Sequence, residues 1–171
     1  MSRDMQAFLT SAGLMLAAVV LQSVVLGWVA IRGVRPDLAL IILAFTAVRR
    51  GSLTAQTGGF VSGFVEDLLS LSPMGFHALF RLVIGFLYGL TEGSLFLDPI
   101  LMPVLLAAVA TLLKGLISSL TVAIFAVAAA GFRVFAGPLW IELAYNAVLA
   151  PFLFALLSLL RPLRPRDKER A

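Results

Sequence analysis

The sequence predicts an all-α integral membrane protein: a compact bundle of about six transmembrane helices. Two observations carry this. Of 171 residues, 61% are hydrophobic and 13% charged, with a mean hydropathy of +1.05, far more apolar surface than a water-soluble domain can bury. The apolar runs are also separated only by short breaks rich in Pro, Gly and charge. No connection is long enough to fold separately, so residues 1–160 form one transmembrane domain and residues 161–171 a basic tail. Cysteine is absent, which removes disulfides, thiolate catalysis and thiolate metal sites. The formal charge of +4 comes from residues scattered at segment ends and in the tail. That pattern sets orientation and meets anionic lipid; it is no nucleic-acid signal.

The first span covers about Met5–Ile31, too long for a signal-peptide core. Gln22, its one strongly polar interior residue, suits an inter-helix hydrogen bond, with a ligand contact as the alternative. Arg32 to Pro36 interrupts the pattern, and Pro36-Asp37 opens a new helix. The next apolar run, about Leu38–Val48, is shorter than the ~20 residues of a straight crossing. Arg49 and Arg50 can snorkel and neighbours can thin the membrane, so this run is expected to cross.

The third and fourth spans form a hairpin about Ser72-Pro73-Met74-Gly75. Gly59, Gly63 and Asp67 recur every fourth residue on one helix; Arg81, Gly85, Gly89 and Gly93 do so on the other. Such small-residue faces let two backbones approach closely. At 1.5 Å per residue, Glu66–Asp67 and Arg81 lie ~6–10 Å below the same end. Opposite charges at one depth in a bilayer have strong reason to meet. The hairpin is therefore expected to be clamped by Asp67 and Arg81, as a structural pair or, alternatively, a substrate site. Pro73 and Gly75 shape its tip.

The fifth span lies within about Pro99–Ala129, with a small-residue face at Ala107, Thr111, Gly115 and Ser119. Lys114 near its middle has either Glu92 or a water-filled or lipid-headgroup cavity as partner. The sixth, about Trp140–Leu160, carries Asn146 and Pro151; Glu142 is expected to be solvated near Arg133. With six spans, one side of the membrane holds Arg3, Arg49, Arg50, Arg161, Arg164, Arg166, Lys168 and Arg170, the other Arg32, Arg35 and Arg133. The positive-inside rule then puts both termini in the cytoplasm and the Ser72–Gly75 break outside; if the Leu38–Val48 run is re-entrant instead, the break and the tail keep their sides and only the N-terminus moves outside.

Catalytic and metal motifs are missing: there is one histidine, His77, and no His-Glu-x-x-His or ordered Ser/His/Asp set. Adjacent Glu66 and Asp67 point about 100° apart on a helix, which does not make an acid–base pair on one face. His77 reads as a hydrogen-bonded structural residue at the membrane edge, with a proton relay as the alternative. No catalytic, cofactor-binding or metal-ligating residue is assigned.

Several stretches together resemble one family. These are Gln22, Pro36-Asp37, Arg49-Arg50-Gly51, Gly58-Gly59, Gly63, Asp67-Leu68-Leu69-Ser70, Ser72-Pro73-Met74-Gly75, Tyr145-Asn146-Ala147 and Pro151. In that order they are similar to the rod shape-determining protein MreD family, over nearly the whole chain. Arg81 and Lys114 lie outside the family pattern. The resemblance implies a non-enzymatic inner-membrane scaffold of the complex that builds lateral peptidoglycan. It implies MreC as direct partner, and MreB, RodA and a penicillin-binding transpeptidase in the same complex. It also implies a fold similar to the substrate-binding subunit of energy-coupling-factor transporters, so a vitamin-like small-molecule-binding subunit is the alternative function.

Overall fold

The computed structural model describes residues 3–70, 72–93, 98–125 and 137–163. They form six helices: α1 (Arg3–Val24), α2 (Leu38–Arg50), α3 (Ser52–Leu69), α4 (Phe76–Gly89), α5 (Leu101–Phe125) and α6 (Gly137–Ser158). Short 3₁₀ turns follow α1 at Leu26–Val29 and α6 at Arg161–Leu163. Among the described residues there is no strand, only an isolated bridge between Ile31 and Val34.

Among the described residues, three helices are long and apolar enough to cross a bilayer: Asp4–Val24, Leu101–Ile124 and Gly137–Ser158. α2, with 13 residues, and α4, with 14, are shorter. The first span ends at Val24, earlier than Ile31, because the chain tightens into the 3₁₀ turn there. Arg35 marks this end by donating from Nη1 to the Gln22 and Ser23 carbonyls at 2.9 and 3.3 Å, satisfying acceptors that a helix C-terminus leaves open.

α2 is the axis of the bundle. Every residue from Ala39 to Val48 is buried, and a helix apolar on all sides belongs in a core. All five other helices pack around it. Its start is fixed by Asp37, whose carboxylate accepts the Leu40 N–H at 3.0 Å, the usual N-cap bond. Its end is fixed by Gly51 at φ +83°, a left-handed backbone that glycine adopts freely. α3 begins at the next residue.

At the far end of α4, Tyr88 donates to the Leu106 carbonyl of α5 at 2.7 Å. Asp98 opens α5 by accepting the Leu101 and Ile100 N–H groups at 2.8 and 2.9 Å. These bonds hold its carboxyl below the ordinary aspartate range. The 3₁₀ turn after α6 packs against α1 and buries Leu163, so the packed body extends past Leu160. The tail from Arg164 and the Arg133 turn lie outside the described residues.

Candidate functional site

α3 and α4 touch backbone to backbone. A Cβ placed on Gly63 would lie 2.6 Å from Ala78 Cα and N. One on Gly59 would sit 3.1 Å from the Arg81 carbonyl oxygen, and one on Gly85 would sit 3.0 Å from the Ala55 carbonyl carbon. Gly89 lies against Ser52. Residues with no side chain face the partner backbone on both helices, which is what small-residue spacing at i, i+4 permits.

The charges within this hairpin do not pair as the sequence suggests. Asp67 does not meet Arg81. Its carboxylate captures the start of α4, accepting N–H bonds from Gly75 at 3.0 Å, His77 at 2.9 Å and Ala78 at 3.3 Å. His77 Nδ1 lies 2.7 Å from the same carboxylate. A helix N-terminus carries open N–H groups and the positive end of the macrodipole, so a buried aspartate is well satisfied there. Gly75, at φ +88°, lets the chain turn into that position. Pro73 completes the turn by accepting the Phe76 N–H at 3.1 Å. The Asp67–Arg81 clamp is thus replaced by a helix cap reaching across the hairpin.

Arg81, fully buried, turns inward. It pairs with Glu66 and, at 3.1 Å, with Asp37, and donates to Ser62 at 3.4 Å. Lys114 extends the same chain of charges. Its Nζ lies 2.8 Å from Asp37 and 2.6 Å from Glu142, over the face of Phe80. Glu66 also lies 3.6 Å from His77 Nε2 and accepts from Gln22 at 3.4 Å. Gln22 in turn accepts the Leu38 N–H at 3.1 Å. Asn146 accepts the Asp37 N–H at 2.9 Å and donates to Thr111 at 3.0 Å. Asp37 therefore joins α2 to α4, α5 and α6 at one point.

Two further expectations change. Lys114 is paired with neither Glu92 nor an open cavity. Glu92 lies instead against Gly51 at the α2–α3 junction, while Asp37 and Glu142 lie within reach of the ammonium. Glu142 is buried, 6% exposed, because a buried lysine needs a nearby anion. Gln22 does make the inter-helix hydrogen bonds expected of it. The sequence reading missed Asp37 and Glu142 as members of an ionic core and left Glu66 without a role. Counting residues from the outer end of its span would have put Glu142, like Glu66, near the depth of Arg81; Asp37, at the very start of α2, would not have been found that way.

This arrangement connects helices. Among the described residues no group of three His, Cys, Asp or Glu side chains could hold a metal ion. The carboxylates of Asp37, Glu66 and Glu142 face Arg81 and Lys114, while Arg81 Nε is buried without a partner. Double-mutant cycles in detergent separate the two kinds of contact. Asp67→Ala is expected to cost about 1–3 kcal/mol as a lost charged cap. Arg81→Met is expected to couple more strongly with Glu66→Gln than with Asp67→Ala; the opposite order would restore the original clamp.

Three long apolar helices packed around a short buried one, with charges neutralised between helices, define a helical membrane protein. The chain belongs to a family within that class: the model of the rod shape-determining protein MreD matches residues 2–160. No curated protein and no solved structure matches the chain. Membership carries a role in determining rod shape in a family of structural membrane proteins.

Proposed function

We propose that the protein is a non-enzymatic scaffold of the bacterial cell-elongation complex. In this reading it binds MreC directly and, through it, associates with MreB, RodA and a penicillin-binding transpeptidase during lateral peptidoglycan synthesis. The observation that carries the reading is the family match, and the use of polar groups supports it. Arg81, Lys114, Asp37, Glu142 and Asp67 all hold other parts of the same chain. The glycine faces are taken up between α3 and α4. The outer helix surfaces and the hairpin tip about Pro73 and Gly75, beside exposed Met74 and Leu69, are left for partners.

The protein sits in the inner membrane with all six helices crossing, both termini cytoplasmic and the hairpin tip outside. The chain has no cysteine, so Met74→Cys can be read without background. A membrane-impermeant maleimide should label it in intact spheroplasts; labelling only after permeabilisation would invert this topology.

Affinity purification from native membranes, with identification of what is retained, tests the function. MreC is the expected companion. Recovery of a tightly bound vitamin-like metabolite with an ATPase module, and no MreC, would replace the scaffold with a transporter subunit.

A further inference from the structure

The two arginines that end α2 are held differently. Arg50 is buried, and its guanidinium meets Asp4 of α1 at 3.2 Å. Arg49 lies over the ring of Phe45, 5.6 Å from its centroid, and Phe45 packs edge-on against Phe154 at 5.1 Å. Among the described residues no carboxylate lies within 4 Å of the Arg49 guanidinium. Its Nε is buried with no hydrogen-bond partner. This cation is half-buried, lies over an aromatic ring and has no carboxylate partner, beside a neighbour that has its own acid.

Its place in the fold names the missing anion. α2 has 13 residues and rises only ~20 Å, against ~30 Å of hydrocarbon in a bilayer. Such a helix crosses only where its neighbours thin the membrane; its Asp37 end is buried against Arg81 and Lys114, which leaves the Arg49 end toward the level where lipid headgroups begin. An aromatic face offsets only part of the desolvation of a guanidinium. The planar fork of donors matches phosphate oxygens better than an ammonium would. A zwitterionic lipid brings its own cation to its phosphate, whereas an anionic lipid does not. Leu53, in the first turn of α3, is 77% exposed and offers apolar surface to lipid.

We propose that Arg49 is the phosphate-binding residue of a site for a phospholipid with net negative headgroup charge. The site forms at the end of the bundle where Asp4 and Arg50 meet.

The full-length protein in detergent is titrated with phosphatidylglycerol, phosphatidylcholine and inorganic phosphate, with retained lipid counted by intact-complex mass spectrometry. The wild type should retain phosphatidylglycerol about fivefold better than phosphatidylcholine, the advantage expected of one basic side chain at a charged surface. Arg49→Gln should remove most of that preference. Arg32→Gln, exposed at the opposite end of α2, should keep it. Equal retention of both lipids by the wild type would overturn the site, as would unchanged preference in Arg49→Gln. Displacement of bound phosphatidylglycerol by millimolar inorganic phosphate would assign the pocket to the free ion. If Arg49→Gln fails to fold, Arg49→Lys, which keeps the charge but not the planar fork, should retain less phosphatidylglycerol than the wild type, and equal retention would overturn the site.

Discussion

Arg81→Met is expected to destabilise the protein by about 3–5 kcal/mol, the cost of removing one partner from a buried ionic contact. The side chain has no exposed surface, so water cannot replace what is lost. Its removal leaves Glu66 without its guanidinium and Asp37 with Lys114 alone. Two carboxylates would then share the centre of the bundle with one fewer cation, in surroundings where an uncompensated charge is costly. Methionine fills much of the volume, so the effect belongs to the charge and not to a cavity. The measurement is thermal unfolding in detergent, with the folded fraction read by size exclusion. Glu66→Gln in the same chain should recover part of the loss, because it removes the anion that Arg81→Met strands. A single variant that unfolds with the wild type would show that the network stabilises nothing.

The α3–α4 hairpin was legible because its signals are local. Glycines every fourth residue and a Pro-Met-Gly break need no knowledge of the rest of the chain. The ionic core was legible only in part. Residue counting from a helix end gives depth, and depth correctly put Asp67, Glu66 and Arg81 near one level. Depth does not say which way a side chain points. Glu66 and Asp67 differ by about 100° around α3; one faces the centre and the other the start of α4. The open N–H groups of α4 lie closer to the hairpin tip than Arg81 does, and they take Asp67. Glu66 is left to take the arginine. Lys114 depended on still less local information: its partners are 77 and 28 residues away. Asp37 was recognised as a helix start, and it is one. Nothing in its neighbours revealed that the same carboxylate also binds a lysine and an arginine from other helices.

Gly63→Ala, a change of one methyl group, is expected to cost about 3 kcal/mol, at the upper end of overpacking penalties. The added carbon would lie 2.6 Å from Ala78 Cα, Ala78 N and the His77 carbonyl carbon. These are backbone atoms that cannot rotate away. α3 and α4 would have to separate, and the separation acts on the polar contacts as well. Asp67 lies one turn beyond Gly63 on the same face, and its bonds to the Gly75, His77 and Ala78 N–H groups require the helices to stay close. Glu66 reaches Arg81 across the same gap. Close packing and charge pairing are therefore one cooperative unit, and a methyl group at its centre weakens both. Gly13→Ala is the control. Its Cβ would meet nothing within 4 Å, and alanine favours a helix by about 0.5–1 kcal/mol, so that variant should be neutral or slightly more stable. Gly115→Ala should fall between them, because its Cβ would press on the Leu139 side-chain methyls at 3.0 Å, which can turn aside. Unfolding temperatures in detergent should rank Gly13→Ala above Gly115→Ala and that above Gly63→Ala. If Gly63→Ala instead matches Gly13→Ala, the two helices are not in backbone contact and the Asp67 cap does not depend on their closeness.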